Sequence, residues 1–289
     1  GDLKKLDFPA LTPEQVHALI YDIMSDGQGK AFEETRECDF SFALADIARF
    51  RVNVFMQRKG EAAVFRTIPT KILTMEDLGL PQIFKQLCEK EKGLILVTGP
   101  TGSGKSTTLA AMVDYLNSTY EGHILTVEDP IEFVHPSKKC LVNQRELGPH
   151  TQSFSNALRA ALREDPDIIL VGEMRDLETI QLALTAAETG HIVFGTLHTS
   201  SAPKTVDRVI DVFPPAQQAQ VRAQFAESIE AVITQTLLKK KTGGRIAAHE
   251  IMIGTTAVRN LISEGKIHQI PGTMQVSQKD GMQTMDMAL

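Results

Sequence analysis

The sequence predicts an α/β fold in which a small mixed α+β segment precedes a larger, mostly parallel sheet covered by helices. Alternating apolar and polar residues over positions 38–68 indicate short strands, and from Gly93 onward apolar runs alternate with helical patterns. A length of 289 residues allows one large domain or two smaller ones. We expect a first domain over residues 1–69, a linker and lead-in helix over 70–92, and the parallel α/β domain over 93–289.

The composition is that of an ordinary globular protein, with 42% hydrophobic and 23% charged residues. The net charge of −6 argues against a broad nucleic-acid-binding surface, so we expect no nucleic-acid partner. No apolar run approaches the roughly 20 residues that span a bilayer, so any membrane role is expected to come through a partner. The three cysteines are far apart and form no C-x-x-C pair, which is typical of a reducing compartment: Cys38, Cys88 and Cys140.

The first predicted element is a helix that begins at Thr12-Pro13, with Gln15 in the capping-box position, and ends at Asp26-Gly27. A turn through Arg58-Lys59-Gly60-Glu61 is expected between the second and third of the strands that follow. If that turn has four residues, position 57 pairs with 62 and position 53 with 66. The strands are predicted over 38–42, 50–57 and 63–68.

The four-residue turn would place Arg51 and Arg66 on the same face of the hairpin, diagonally adjacent. Two interpretations stay open at this point. The arginines can be solvated side chains of an exposed face, or they can be offered to a phosphate held by another subunit, as arginine fingers. Nothing in the local pattern decides between them.

The most specific motif is the stretch from Gly99 to Ser106, which fits the phosphate-loop pattern G-x-x-x-x-G-K-[ST]. A buried strand is predicted before it at 94–98 and a helix after it at 107–117. Glycines let backbone N–H groups surround an anion, Lys105 supplies a charge for the β- and γ-phosphates, and Ser106 supplies a magnesium ligand. The sequence therefore predicts a nucleoside triphosphate site formed by Gly99, Thr101, Gly102, Ser103, Gly104, Lys105, Ser106 and Thr107.

Acidic residues follow two further predicted strands. The strand at 123–127 ends in Glu128-Asp129-Pro130-Ile131-Glu132, and the apolar run at 168–171 is followed by Gly172-Glu173. Carboxylates at the carboxyl ends of parallel strands lie where doubly wound sheets bind ligands. The second run, next to a phosphate-loop strand, is the Walker B arrangement, whose acid holds magnesium or its water. A strand that merely ends in a surface glutamate is the alternative.

A further buried strand is predicted over 190–199, with His191 and His198 near its two ends. A histidine near a strand end is often a capping or core residue. His198 is predicted to have a nucleotide role because it lies at the carboxyl edge of the sheet.

The rest of the chain is predicted to be mostly helical. A long amphipathic helix is expected over 217–238, where Lys239-Lys240-Lys241 would favour its C-terminal dipole. Residues 245–253 alternate as a last strand, and Thr256 is expected to cap a short helix over 257–264. Shorter helices are predicted over 81–89, 155–163, 177–187 and 204–211, the last of which carries Arg208.

In chain order, four stretches resemble the Walker A, Asp box, Walker B and His box of the type II/type IV secretion ATPases: Gly99–Ser106, Val127–Glu132, Ile169–Glu173 and Gly190–Thr199. The resemblance covers essentially the whole chain. It implies a small PAS-like α+β N-terminal domain followed by a RecA-like P-loop ATPase domain. Because the chain starts late against the family pattern, we expect part of the PAS-like domain to be absent.

The resemblance implies that ATP, with Mg²⁺, binds between the N-terminal domain of one subunit and the ATPase domain of its neighbour. By analogy, Glu132 orients the attacking water, and Asp129 and Glu173 serve the magnesium shell. His191 and His198 are expected to sense the γ-phosphate.

The family also implies a homohexameric ring. Arg51 and Arg66 match the two arginines of the family's N-terminal domain, which favours the arginine-finger interpretation. Arg208 resembles a third arginine near the phosphates.

Within the family, the sequence is most similar to the branch that retracts type IV pili. This similarity implies a cytoplasmic ATPase, peripheral to the inner membrane, that acts on an inner-membrane platform protein to disassemble pili and drive twitching motility. The family's A-I-R-N-L-I-R-E motif reads A-V-R-N-L-I-S-E here, so Ser263 removes a charge.

Several alternatives stay open. One is an accessory retraction ATPase, and another is a pilus-extension or type II secretion assembly ATPase, which usually carries a four-cysteine zinc module that is absent from this sequence. A small-molecule P-loop kinase would need an acceptor pocket and an arginine-rich lid. A DNA motor shares the ring architecture, but the net charge of −6 speaks against it.

Overall fold

The computed structural model describes residues 4–44, 48–68 and 71–289. The chain divides into two compact units, Gly1–Thr70 and Lys71–Leu289. The predicted end of the first domain, at residue 69, and the start of the linker, at residue 70, lie outside the described residues.

The first unit is a three-stranded antiparallel sheet with two helices. Its elements are α1 (Pro13–Asp22), α2 (Asp26–Thr35), β1 (Glu37–Leu44), β2 (Ala48–Gln57) and β3 (Gly60–Ile68), with the strands in the order β1-β2-β3. Alternate residues of β2 point to the same face, so Val52 and Val54 are both buried. They pack with helix and strand residues in one core of Ile20, Phe32, Phe40, Val52 and Val54.

The prediction of a single helix ending at Asp26-Gly27 is wrong. Helix α1 ends at Asp22, and Ser25 begins a second helix, α2. The Ser25 hydroxyl accepts a hydrogen bond from the Gln28 N–H at 3.3 Å, and the Gln28 side chain accepts one from the Ser25 N–H at 2.8 Å. This capping box satisfies two N–H groups that the helix would otherwise leave unpaired, and it outweighs the glycine at position 27.

The register predicted for the β2–β3 hairpin is also wrong. Gln57 pairs with Gly60, so two residues form the turn rather than four. Gly60 has a φ of +113°, which lets the chain turn back so early. Arg51 therefore lies directly opposite Arg66 instead of diagonally from it.

The second unit contains a seven-stranded sheet in the order β10-β9-β4-β8-β7-β5-β6. All neighbouring strands are parallel except β9 and β10. The strands are β4 (Gly93–Thr98), β5 (His123–Glu128), β6 (Leu141–Glu146), β7 (Ile168–Val171), β8 (Ile192–Leu197), β9 (Ile229–Lys239) and β10 (Arg245–Ile253).

Helices cover both faces of this sheet. Because successive side chains of a strand point to opposite faces, Leu94 and Leu96 of β4 join one apolar cluster, and Ile95 and Val97 join the other. Among the described residues, no helix is both long and apolar enough to cross a membrane. The helices are α3 (Ile83–Cys88), α4 (Lys105–Thr119), α5 (Phe154–Ala161), α6 (Leu177–Glu188), α7 (Ala202–Asp211), α8 (Pro215–Ser228), α9 (Thr256–Ser263), α10 (Ile270–Val276) and α11 (Met285–Ala288).

The predicted long helix over 217–238 is wrong from Ile229 onward. Helix α8 ends at Ser228, and the following residues form β9, between β4 and β10. An interior strand is covered on both faces, so its apolar residues do not alternate and can imitate a helical pattern. Five β-branched residues among the eleven of β9 favour a strand. Lys239-Lys240-Lys241 consequently lies at the end of a strand rather than at a helix C-terminus.

The prediction that the Walker B strand lies next to the phosphate-loop strand is also wrong. β7, which leads to Glu173, does not pair with the phosphate-loop strand β4. β8 lies between them, and His198 directly follows its last residue. Strand β8 therefore separates the two strands that lead to the Walker A and Walker B motifs.

Candidate nucleotide site

The phosphate loop connects β4 to α4. β4 ends at Thr98, and α4 begins at Lys105 after Gly104, whose φ is +90°. The described loop has Thr101 and Gly102 exposed, Gly104, Ser106 and Thr107 half-buried, and Gly99, Ser103 and Lys105 buried.

Lys105 is the charged residue of the loop, and its side chain folds back over the loop. Its Nζ donates hydrogen bonds to the carbonyl oxygens of Gly99 at 2.9 Å and Pro100 at 3.2 Å. Burial lowers the pKa of Lys105, and the negative charges of Glu173 and Glu132 oppose that shift. The structure thus places the ammonium group within the electrostatic reach of both predicted acids.

The other predicted residues of the ATPase unit reach the loop because four parallel strands end at the same edge. In register, β4, β8, β7 and β5 finish within about two residues of one another. The residues that follow these strands therefore share one edge of the sheet: Gly99, Asp129, Glu173 and His198.

Glu173 is held at this edge by an arginine and a histidine. Its two carboxylate oxygens accept from Arg175 Nη2 at 2.6 Å and contact His198 Nε2 at 3.1 Å. Burial raises the pKa of Glu173, but Arg175 and His198 outweigh burial and hold the pKa below its usual range. Arg175 Nη1 also lies 3.8 Å from Asp129 Oδ2. The sequence analysis did not predict a role for Arg175, although this residue lies two positions after the Walker B acid, Glu173.

The loop that contains Asp129 and Glu132 is stabilised by hydrogen bonds from its backbone to two other acidic side chains. Glu128 accepts from the Glu132 N–H at 3.4 Å, and Glu146 of β6 accepts from the Ile131 N–H at 3.1 Å. Burial raises the pKa of Glu128, against hydrogen bonds from Thr126 and Gln144. The Glu132 side chain is exposed, so its carboxylate is accessible from this edge.

His191 is not brought to the phosphate loop of its own subunit. It precedes β8 at the amino edge of the sheet, and its carbonyl accepts from the N–H of Gly93, the first residue of β4. Its ring Nδ1 lies 2.9 Å from the carbonyl of Ala186. A strand of six residues is about 20 Å long, so His191 and the phosphate loop of the same subunit lie at opposite edges of the sheet, and a role of His191 at the γ-phosphate stays a prediction.

The three predicted arginines lie on other elements. Arg51 is half-buried and Arg66 is exposed, side by side on β2 and β3 of the first unit. Arg208 is exposed in the last turn of α7, a helix that begins just after the end of β8.

Comparison with known proteins identifies the family of this chain. The model of the family described as "Type II/IV secretion system protein" matches residues 18–285, which is nearly the whole chain. The chain belongs to the type II/IV secretion system protein family. The predicted family and its ATPase class are therefore confirmed, and so is the α/β fold with a RecA-like ATPase domain.

Relatives of this family match across the chain. The type IV pilus retraction ATPase PilT of Pseudomonas aeruginosa is 66% identical over 289 residues, covering 100% of this chain and 84% of PilT. The type IV pilus ATPase PilU of the same organism is 41% identical over 280 residues, covering 96% of this chain and 73% of PilU.

A solved structure also matches. The crystal structure of the pilus retraction motor PilT with bound ADP superimposes with a TM-score of 0.91 at 53% identity, covering 98% of this chain and 80% of that chain. Together with the family membership, this similarity confirms the predicted nucleotide-binding class.

Proposed function

We propose that this chain is a subunit of an ATP-driven motor that retracts type IV pili. The observation that carries the proposal is geometric: Lys105 bonds the phosphate loop at the end of β4, and Glu173 contacts His198 at 3.1 Å at the same edge of the sheet. Similarity to a pilus retraction ATPase over the whole of this chain supports the same activity.

Phosphate binding is assigned to the loop from Gly99 to Thr107 and the first turn of α4. The N–H groups at a helix start and in a glycine-rich loop attract anions, and Lys105 adds a full positive charge. Burial disfavours that charge, so a polyphosphate beside it restores a favourable environment. ATP binding and the buried ammonium group therefore stabilise each other.

Hydrolysis is assigned to Glu132. A general base needs an accessible carboxylate in a fixed position, and the backbone hydrogen bonds to Glu128 and Glu146 hold the loop of this exposed side chain. His198 contacts Glu173 at 3.1 Å and is proposed to sense the γ-phosphate from that position.

The donor set at this edge fits magnesium. Mg²⁺ prefers oxygen ligands and is commonly held by one or two carboxylates together with substrate phosphates. Ser106, Asp129 and Glu173 offer a hydroxyl and two carboxylates at this edge, and they are proposed to hold the ion or its waters. When bound, the ion neutralises charge on the phosphates during hydrolysis.

The remaining positive charge is proposed to come from the first unit of a neighbouring subunit. Arg51 and Arg66 lie directly opposite each other, and like charges in that position repel. A multiply charged anion between subunits relieves this repulsion, which supports their role as arginine fingers in a homohexamer. Arg208 is proposed as a third arginine, and an inner-membrane platform protein as the partner on which the motor acts.

Deletion of the gene tests the biological direction of this motor. We expect cells without the protein to carry more surface pili than the parent and to lose twitching, because extension continues without retraction. Electron microscopy of surface pili and a twitching assay measure both effects. Re-expression of the wild-type chain is expected to restore them. Cells without any surface pili would contradict retraction and indicate an extension ATPase.

A further inference from the structure

A glutamine of β9 lies directly behind the phosphate loop. In register, Thr98, the last residue of β4, pairs with Thr234 of β9. Gln235 is the next residue, at the point where β4 has given way to the loop, and it is only 2% exposed. A buried amide at this position has no solvent partner, so its hydrogen bonds must come from the protein.

The Gln235 side chain bridges the loop to the helix that follows it. Its Nε2 donates to the carbonyl oxygen of Ser103 at 2.7 Å, and its Oε1 accepts from the Thr108 hydroxyl at 2.7 Å. Ser103 lies in the loop, and Thr108 lies in the first turn of α4. One amide therefore fixes the distance between the loop backbone and the helix start.

A buried histidine also contacts this amide. His249 of β10 is 5% exposed, and its Nε2 lies 3.2 Å from Gln235 Oε1. Burial lowers the pKa of His249 to about 4, so the ring is neutral at physiological pH. Because the neighbouring atom is a carbonyl oxygen, Nε2 carries the proton and donates it. A reversed amide would set its oxygen against the Ser103 carbonyl oxygen, which can only accept, so the Ser103 carbonyl fixes the amide orientation.

The same glutamine explains two glycines of the loop. Gly99 has a φ of +136°, and a Cβ added there would collide with the backbone carbonyl of Gln235. A Cβ added at Gly104, where φ is +90°, would lie 2.8 Å from Gln235 Nε2. These glycines are thus required by the strand behind the loop, and not only by the approach of a phosphate from the front.

We propose that Gln235 is a positioning residue for nucleotide binding: by holding the Ser103 carbonyl and the Thr108 hydroxyl, it keeps the loop N–H groups directed toward the phosphates. The inference rests on the proposed nucleotide site and adds a residue to it that touches no substrate atom. Pre-ordered donors bind anions more tightly than donors that must be ordered on binding, so removal of the bridge weakens nucleotide binding.

The test replaces the amide by an apolar side chain of similar volume, in Gln235→Met. We expect the dissociation constant for ATPγS, measured by isothermal titration calorimetry on the full chain, to rise about tenfold, which corresponds to about 1.4 kcal/mol. KM for ATP is expected to rise while kcat changes little, because the loop binds ground state and transition state alike.

A second variant, Thr108→Val, removes only one hydroxyl from the bridge. We expect it to weaken ATPγS binding about threefold, and the double variant to bind no more weakly than Gln235→Met, because both changes break one network. If Gln235→Met does not fold, Thr108→Val carries the test. Binding by that variant at the wild-type level would then overturn the proposal.

A buried amide elsewhere in the same helix provides the control. Asn117 of α4 is fully buried, donates to the Pro136 carbonyl at 2.8 Å and accepts from the Lys138 N–H at 3.0 Å. Asn117→Leu is expected to lower the urea midpoint and to leave ATPγS affinity at the wild-type value. Folded Gln235→Met with wild-type affinity would overturn the role of Gln235 alone. A wild-type chain that binds no ATPγS would instead overturn the nucleotide site on which it rests.

Discussion

Glu132→Gln is expected to lower kcat for ATP hydrolysis about 10²- to 10⁴-fold, the range that loss of a general base produces. The amide keeps the size of the side chain but cannot accept a proton from the attacking water. Because Glu132 is exposed and its backbone N–H, not its carboxylate, bonds to Glu128, the loop is expected to keep its conformation. Phosphate release and ATPγS affinity, measured on the same preparation, separate catalysis from binding.

An acid at the opposite edge of the sheet is the matched control for this variant. Glu91 is exposed and stands two residues before β4, far from the phosphate loop. Glu91→Gln is expected to hydrolyse ATP at the wild-type rate. A Glu132→Gln variant that turns over ATP as fast as Glu91→Gln would contradict the assignment of the base.

Lys105→Ala is expected to abolish detectable ATP turnover and to weaken ATPγS binding at least about tenfold. The substitution removes the ammonium group that donates to the Gly99 and Pro100 carbonyls, and with it the positive charge of the loop. Calorimetry and a phosphate-release assay measure the two effects.

The control removes a lysine that precedes the same strand. Lys92 lies at the amino edge of the sheet, where its Nζ donates to the Glu188 carbonyl at 3.4 Å. Lys92→Ala is expected to keep wild-type binding and turnover. Measurable hydrolysis by Lys105→Ala at the rate of Lys92→Ala would show that the loop lysine is not part of the reaction.

The sequence predicted the local parts of the site because each depends on contiguous residues. Gly99 to Ser106, with a strand before and a helix after, could be recognised without any long-range contact. Glu173 and His198 could be placed at the same edge because parallel strands share their carboxyl ends.

Residues that act through tertiary contacts could not be predicted in this way. Gln235 lies 132 positions from Ser103, and nothing near it in the sequence marks it as a neighbour of the loop. Its strand was itself predicted as a helix, because Ile229, Val232 and Ile233 are spaced equally well for either. Glu128 stands in the same acidic stretch as Asp129 and Glu132, and only its hydrogen bonds to Thr126, Gln144 and the Glu132 N–H show that it supports the loop.

Turn geometry explains the remaining difference in the first unit. The sequence of the hairpin fits a four-residue turn as well as a two-residue turn. The two-residue turn pairs Arg66 with Arg51, whereas the four-residue turn would pair it with position 53, two residues further along the strand. The pairing of the arginines was therefore predicted on the correct face but at the wrong register.

The most direct test of a site shared between subunits uses two inactive variants together. Lys105→Ala lacks the loop lysine and Arg51→Ala lacks the arginine offered to a neighbour, so each alone is expected to be inactive. Co-expressed in equal amounts and purified as one assembly, they are expected to recover about one quarter of the wild-type ATPase rate, because random assembly pairs an intact loop with an intact arginine at that frequency. A mixture as inactive as either variant alone would contradict a site completed by the neighbouring subunit.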